Sequence, residues 1–263
     1  MKLISLNSSS SGNMHILENG RSTILLDCGI RYDSYVHENL KGKKIDGVLL
    51  THEHGDHISG CKGLSENKRT YFFSTRETLS CVDVPEFMKQ PQIPFKQFYV
   101  GTFSIISFEV KHDAVHPVNF LIRDEISGSK LLYITDTGYI DNLEFHDIDY
   151  ILIECNFDEK WYEELNVEDV EVNPFIKPRL LSEKGHLSIQ KVFEFLKRTI
   201  NCNTKKIILC HIHSSYTNFE KFATELKEKL DFENIVSLDP QIRRKRVACI
   251  NFLNDKKEIV EFE

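Results

Sequence analysis

The chain reads as an α/β protein in which two mixed β-sheets pack face to face with helices on both outer faces, a four-layer αββα sandwich. Three observations lead there. Short apolar or alternating runs recur along the chain, each bounded by Gly, Asn, Asp or Pro: KLISLN, MHILEN, STILLDC, DGVLLT, FSIISFEV, VNFLIRD, KLLYITD, DYILIEC, KKIILCH and RVACINF. Runs so rich in β-branched residues form strands. Hairpin-like strands dominate the first half, and helices alternate with strands in the second, which suits mixed sheets covered by helices.

The helical segments are fewer. In LSIQKVFEFLKRTI, Leu187, Val192, Phe195, Leu196 and Thr199 share one face, and Ser188 suits the N-cap. In TNFEKFATELKEKL, Phe219, Phe222, Leu226 and Leu230 carry the period, with Thr217 and Glu220 at capping-box spacing. Further helices are expected over YDSYVHENLK and after the histidine cluster near residue 52.

Of the 263 residues, 41% are hydrophobic and 28% charged, which supports a sizeable core and excludes a disordered chain. No repeat or Pro/Gly/Ser-rich linker interrupts the sequence, so residues 1–263 are expected to form one domain. The net charge of −7 means that any nucleic-acid contact must use a local basic patch. The opening MKLISLNSSSSGN turns polar too soon for a signal peptide, and no later stretch approaches a membrane span. Seven cysteines without a CxxC pair read as reduced thiols, hence a cytoplasmic protein.

The chemistry concentrates in LLTHEHGDHISG. His52, His54, Asp56 and His57 fall within six positions directly after an apolar strand. Residues two apart in an extended segment point the same way, so His52 and His54 can share one metal ion. Gly55 permits a tight turn that would carry Asp56 and His57 to a second ion. Imidazole and carboxylate donors suit zinc or another first-row divalent cation such as manganese.

THEHGDH is similar to the signature of the metallo-β-lactamase superfamily, whose fold is the αββα sandwich with a dinuclear site at one edge. That resemblance implies three later ligands. VKHDAVHP offers His112 or His116, YITDTG offers Asp136 as a bridging carboxylate, and IILCHIHSS offers His211 or His213. It also implies that Asp27 in ILLDCG holds the histidine loop from behind. More narrowly, NSSSSGN, LLDCG, HDA with HP two residues on, YITDTGY, ILIECNFD, GHLS and LCHIHSS resemble, in order, the YycJ/WalJ/VicX family of 5′→3′ DNA exonucleases. The family match favours His112 over His116 and His211 over His213. Cys155 stands where that family has Ser, and HIHSSYTN replaces its polar run with paired Asn.

Within the superfamily the residues discriminate among reactions. The di-iron branch has Glu in place of His54, and secreted lactamases place Cys or Ser where Asp136 stands. Thioester and lactone hydrolases keep that Asp, so a small-molecule phosphodiesterase or an ester hydrolase is the alternative to an exonuclease. Two divalent ions about 3.5–4 Å apart serve phosphodiester hydrolysis by activating a bridging water. His186 in GHLS precedes a helix N-terminus, a position suited to contacting phosphate or protonating a leaving oxygen. Ser9, Ser10, Ser11 and Asn13 of the polar hairpin are candidate phosphate contacts. Asp56, Asp136 and His186 are therefore the catalytic candidates. Asp136 and His211 are only 75 positions apart, too few for a large cap domain, so the site should admit a DNA end. The basic runs at 41–44 and 243–246 are either DNA grips or solvated faces. The acidic run at 163–173 is expected to lie off the nucleic-acid path.

Overall fold

The computed structural model describes residues 1–140, 144–160, 182–213, 219–239, 246–251 and 256–261. It bears out the sandwich. Strands β1 (Lys2–Ser9), β2 (Gly12–Glu18) and β3 (Thr23–Leu26) form an antiparallel meander, followed by helix α1 (Ser34–Leu40) and strand β4 (Gly47–Leu49). Helices α2 (Gly55–Ile58) and α3 (Cys61–Asn67) lead to β5 (Phe72–Ser74), α4 (Arg76–Ser80) and β6 (Lys89–Pro91). With β14 (Arg246–Asn251) and β15 (Lys256–Glu261), these strands make an eight-stranded sheet in the order β15-β14-β1-β2-β3-β4-β5-β6.

The second sheet begins with β7 (Gln97–Val100), β8 (Phe103–Glu109), β9 (Val118–Asp124) and β10 (Lys130–Ile134). It continues with β11 (Tyr150–Glu154), helix α5 (Ile189–Thr199), β12 (Lys206–Cys210), helix α6 (Glu220–Leu230) and β13 (Ile235–Ser237). Its seven strands lie in the order β13-β12-β11-β10-β9-β8-β7, with β10 to β13 parallel.

Each strand of the sandwich sorts its side chains by alternation. In β3, Ile24 and Leu26 enter the core between the sheets with Leu3, Phe103, Phe120, Tyr133 and Ile208. Leu25 turns the other way, under α1 and α3, to meet Val36, Val48 and Leu64. On the opposite face, Ile151 and Leu209 pack against Val192, Phe195 and Leu226 of α5 and α6. All ten runs above fall on strands, and those buried on both sides, such as DYILIEC and KKIILCH, read as continuous apolar runs. Ser188 caps α5 as expected, accepting from Lys191 N. Thr217, and with it the expected capping box, lies outside the described residues, as does the acidic run at 163–173.

The strands β3, β4, β10 and β12 end at one edge of the sandwich. Residues just beyond such carboxyl ends are where open α/β sheets place their sites. Three of them, Asp27 (φ 56°), Asp136 (φ 37°) and His211 (φ 46°), adopt the left-handed backbone region that non-glycine residues seldom enter.

Candidate metal centre

The loop after β4 is extended through His54 (φ −62°, ψ 148°), so His52 and His54 do face one point. His112, carried beyond β8, joins them: His54 Nδ1 lies 3.0 Å from His52 Nε2 and 3.2 Å from His112 Nε2. These close approaches are not hydrogen bonds, because each ring spends its N–H elsewhere. His112 Nδ1 donates to the Gly185 carbonyl at 3.1 Å, His54 Nε2 to the Asp113 carbonyl at 3.2 Å, and His52 Nδ1 to Thr51 Oγ1 at 3.0 Å. Three lone pairs are left aimed at one another. Ligands of a tetrahedral zinc with Zn–N near 2.0–2.1 Å would stand about 3.3 Å apart, so the spacing fits a divalent ion. Burial pushes the pKa of both His52 and His112 down, toward the neutral form that a metal needs.

A second donor set adjoins the first. His57 Nε2 lies 3.5 Å from Asp56 Oδ2 and 3.4 Å from Asp136 Oδ2, while His211 Nε2 lies 3.4 Å from Asp56 Oδ2. Asp136 Oδ2 is also 3.7 Å from His52 Nε2 and 3.8 Å from His112 Nε2, so one carboxylate oxygen touches both sets. Burial opposes protonation of His211, yet Asp136, Asp56 and Glu154 outweigh it and lift its pKa to about 10. The same contest, won by Asp136 and Asp27, raises that of His57. The carboxylates thus call for positive charge in a buried place, and a divalent cation meets that demand.

The supports are buried as well. Asp27 accepts from His57 Nδ1 at 2.9 Å, Tyr133 Oη at 2.7 Å and Thr51 N at 2.9 Å, locking the second histidine behind the cluster. The turn of α2 does not depend on Gly55, where an added Cβ would meet nothing within 4 Å. It depends on Gly29, whose absent Cβ would come within 1.6 Å of the Asp56 carbonyl oxygen. His116 stands apart, bonded to Glu77 and Glu109 at 3.0 and 2.9 Å. His213 gives its backbone N–H to the Asn156 carbonyl and belongs to neither donor set.

His186 reaches the site from the N-terminal side of α5, its ring centroid 5.4 Å from that of His112 and 5.2 Å from that of His211. Its Nδ1 donates to Glu154 Oε2 at 3.0 Å, while Glu154 Oε1 accepts from Thr137 N at 2.6 Å and Leu187 N at 3.3 Å. Glu154 is a residue that sequence reasoning missed. The signal was present: an acid closing the apolar run YILIE, fully buried in the fold, must have partners. Of the hairpin candidates, Asn13 comes within 3.1 Å of His57 Nε2 and 3.4 Å of Asp56 Oδ2 through its Nδ2. Ser9 and Ser11 bond each other at 2.8 Å and Ser10 is exposed. Ser8, not singled out by sequence, accepts from His211 N at 2.9 Å.

The lysines at 41–44 lie before β4, at the end away from the donor sets, and are spent on acids: Lys41 on Glu38, Lys43 on Glu18 and Lys44 on Asp46. Residues 243–245 lie outside the described residues.

Buried imidazole and carboxylate donors at the strand ends of an αββα sandwich define a metallo-hydrolase of the metallo-β-lactamase fold. The family model described as "Beta-lactamase superfamily domain" matches residues 22–212. The exodeoxyribonuclease WalJ of Streptococcus pneumoniae is 31% identical over 236 residues, covering 83% of either chain. The exodeoxyribonuclease YycJ of Bacillus anthracis is 28% identical over 222 residues, 79% of this chain and 80% of that one. The crystal structure of the metallo-β-lactamase fold protein YhfI from Bacillus subtilis superposes with a TM-score of 0.68 at 17% identity, over 90% of this chain and 95% of its own. The chain therefore belongs to the metallo-β-lactamase superfamily and, within it, to the family of WalJ and YycJ. No helix among the described residues is long and apolar enough to cross a membrane.

Proposed function

We propose that this one-domain protein is a cytoplasmic dinuclear phosphodiesterase that degrades DNA from a 5′ end. In this reading His52, His54 and His112 hold one ion, Asp56, His57 and His211 the other, and Asp136 bridges them. Zinc or manganese suits the donors. The observation that carries the proposal is the shared Asp136 oxygen between two convergent donor sets, with the Glu154–His186 pair beside them. The free thiols of the described cysteines agree with a reducing compartment, and the WalJ and YycJ names support DNA as substrate.

Bound divalent ions would supply an activated water and neutralise charge on the phosphate. The chain's own residues do the rest. Glu154 holds His186 by Nδ1, which leaves Nε2 to give a proton to the departing sugar oxygen. Glu154 stabilises the charged ring before that transfer and keeps its Nδ1–H afterwards, when the ring is neutral. The Asn13 amide donates toward a phosphate oxygen, and Asp27 and Thr51 keep His57 and His52 from turning.

The test is digestion of duplex DNA carrying a 5′-phosphate and a 3′-end label, with manganese or zinc, comparing wild type and the His52→Ala/His54→Ala variant. Progressive shortening from the 5′ end, absent in the variant, is expected. Hydrolysis of bis-p-nitrophenyl phosphate without any DNA cleavage would move the protein to small phosphodiesters.

A further inference from the structure

The exposed large apolar side chains of the described residues are not scattered. Tyr71, Phe87, Ile93, Phe95, Tyr99 and Val115 all lie on the side where β5, β6 and β7 close the sandwich, and only Ile126 lies elsewhere. Phe73 of β5 and Phe98 of β7 stack with centroids 5.8 Å apart and join the two sheets there. The link from β6 to β7 is pinned on both sides, Gln92 N to the Ser74 carbonyl at 2.7 Å and Phe95 N to that of Ser107 at 2.7 Å. Phe95 itself sits at φ 64°, a conformation unfavourable for an aromatic residue that keeps its ring 64% exposed. Phe87 and Tyr99 are 72% and 63% exposed.

This edge touches the metal end. Ser107 precedes His112 by five residues on the strand that delivers that histidine. Thr75 and Thr78 of the α4 turn hold the His116 carbonyl at 3.0 and 3.2 Å, and Val115 N donates to Glu53 of the histidine loop at 2.9 Å. Its chemistry is also unlike that of the chain as a whole. From Phe87 to Phe108 there are two lysines and no acid, within a protein of net charge −7. Glu86 and Glu109 bound the stretch and Lys89 is spent on Glu86 at 3.2 Å, so the free cation is Lys96, which is exposed and pairs with no acid among the described residues; Gln90, Gln92 and Gln97 lie on the same segment. Solvent-facing aromatic rings set among amides and the free Lys96, beside a site proposed to attack phosphodiesters, suit a single nucleic-acid strand, with π faces for unstacked bases and a cation for the backbone. A strand-adding partner fits less well, because β6 spans three residues and ends in Pro91.

We propose that the β6–β7 edge, through Phe87, Phe95 and Tyr99, binds single-stranded DNA by base stacking and leads it along the rim of the metal centre. This rests on the DNA reading above. The experiment measures anisotropy of a fluorescein-labelled oligothymidylate of about 16 nucleotides on the His52→Ala/His54→Ala protein, with and without Phe87→Ser, Phe95→Asn and Tyr99→Ser. Asn tolerates the left-handed backbone at 95. The three changes should weaken binding about tenfold or more, while the same changes in the wild-type background leave bis-p-nitrophenyl phosphate hydrolysis unaltered. Unchanged oligothymidylate binding overturns the proposal. A fall in molar mass by light scattering, with binding unchanged, makes the edge an interface between copies instead. Wild type that hydrolyses the small diester but neither binds nor cuts DNA sinks the DNA reading itself, and the edge proposal with it.

Discussion

At the scale of single residues, the least conspicuous one in sequence has the most to explain. Glu154 carries a negative charge in a place with no exposure, and its pKa falls below the usual range because His186, with its hydrogen bond, and the bond to His211 outweigh burial. If its task is to hold and charge-balance His186, Glu154→Gln should lower kcat about 10²–10⁴-fold, with both metals retained in elemental analysis. Loss of metal from that variant would instead make Glu154 a ligand, since it falls within one group with Asp136, His186 and His211. His15 makes a second prediction. It is buried with Nδ1 unpartnered, and burial, against the pull of Asp27, lowers its pKa to about 4. An imidazole neutral in the fold but free to protonate when unfolded favours the unfolded chain in acid. Its contribution is therefore whole above pH 6.5 and lost as pH falls toward 4, up to about 3 kcal/mol. Urea midpoints of His15→Phe and wild type should diverge across that window, the variant falling less; parallel curves would show His15 already satisfied. In sequence HxHxDH and Asp136 stand out beside apolar strands, whereas His112 or His116 and His211 or His213 stay open until the family resemblance chooses between them. The partners of Glu154 and Ser8, and the Asp27 that holds Thr51, lie on segments remote in sequence, so their roles do not show there.

At the scale of elements, the donor sets are made by strand ends and held by close approach of backbone. Gly29 shows how little slack there is. Its N–H donates to the Asn13 carbonyl at 2.8 Å, and a Cβ would strike the Asp56 carbonyl oxygen, not a flexible side chain. Gly29→Ala must push α2 outward, carrying Asp56 and His57 from Asp136. The variant should lose about one metal equivalent while keeping the three-histidine set, read as zinc per chain after dialysis; full metal content would show that the loop yields. Runs such as YILIE of β11 and KIILC of β12 are readable as strands because both of their faces are buried. β6 and β7 escape sequence reading because Lys89, Gln90 and Gln97 interrupt them with polar residues, and β15 because its charges obscure the alternation, whereas β4, equally short, is legible as GVLL. Gly55 looks indispensable in sequence, whereas the constraint belongs to Gly29, which spacing within the motif cannot reveal.

At the scale of the whole molecule, the proposed ligands come from both sheets. His52, His54, Asp56 and His57 follow β4 of one sheet, and His112, Asp136 and His211 follow β8, β10 and β12 of the other. Metal at these atoms would clamp the sandwich at the edge where the carboxylates Asp27, Asp56, Asp136 and Glu154 crowd together. Binding to the folded chain alone stabilises it by RT ln(1 + [L]/Kd), about 4 kcal/mol at a thousand times Kd. For a chain of this size each kcal/mol raises Tm by about 2–4 °C, so saturation should raise it by roughly 10 °C. Calorimetry of chelator-stripped protein, before and after adding zinc or manganese, measures this directly. His52→Ala/His54→Ala, which removes two ligands of one ion but leaves those of the other, should show a smaller rise. If the stripped and loaded proteins melt together while only the loaded one cleaves DNA, the ions serve the reaction without joining the sheets. In that case the carboxylate edge must be stabilised by protons on His57 and His211, whose raised pKa values already point to that demand.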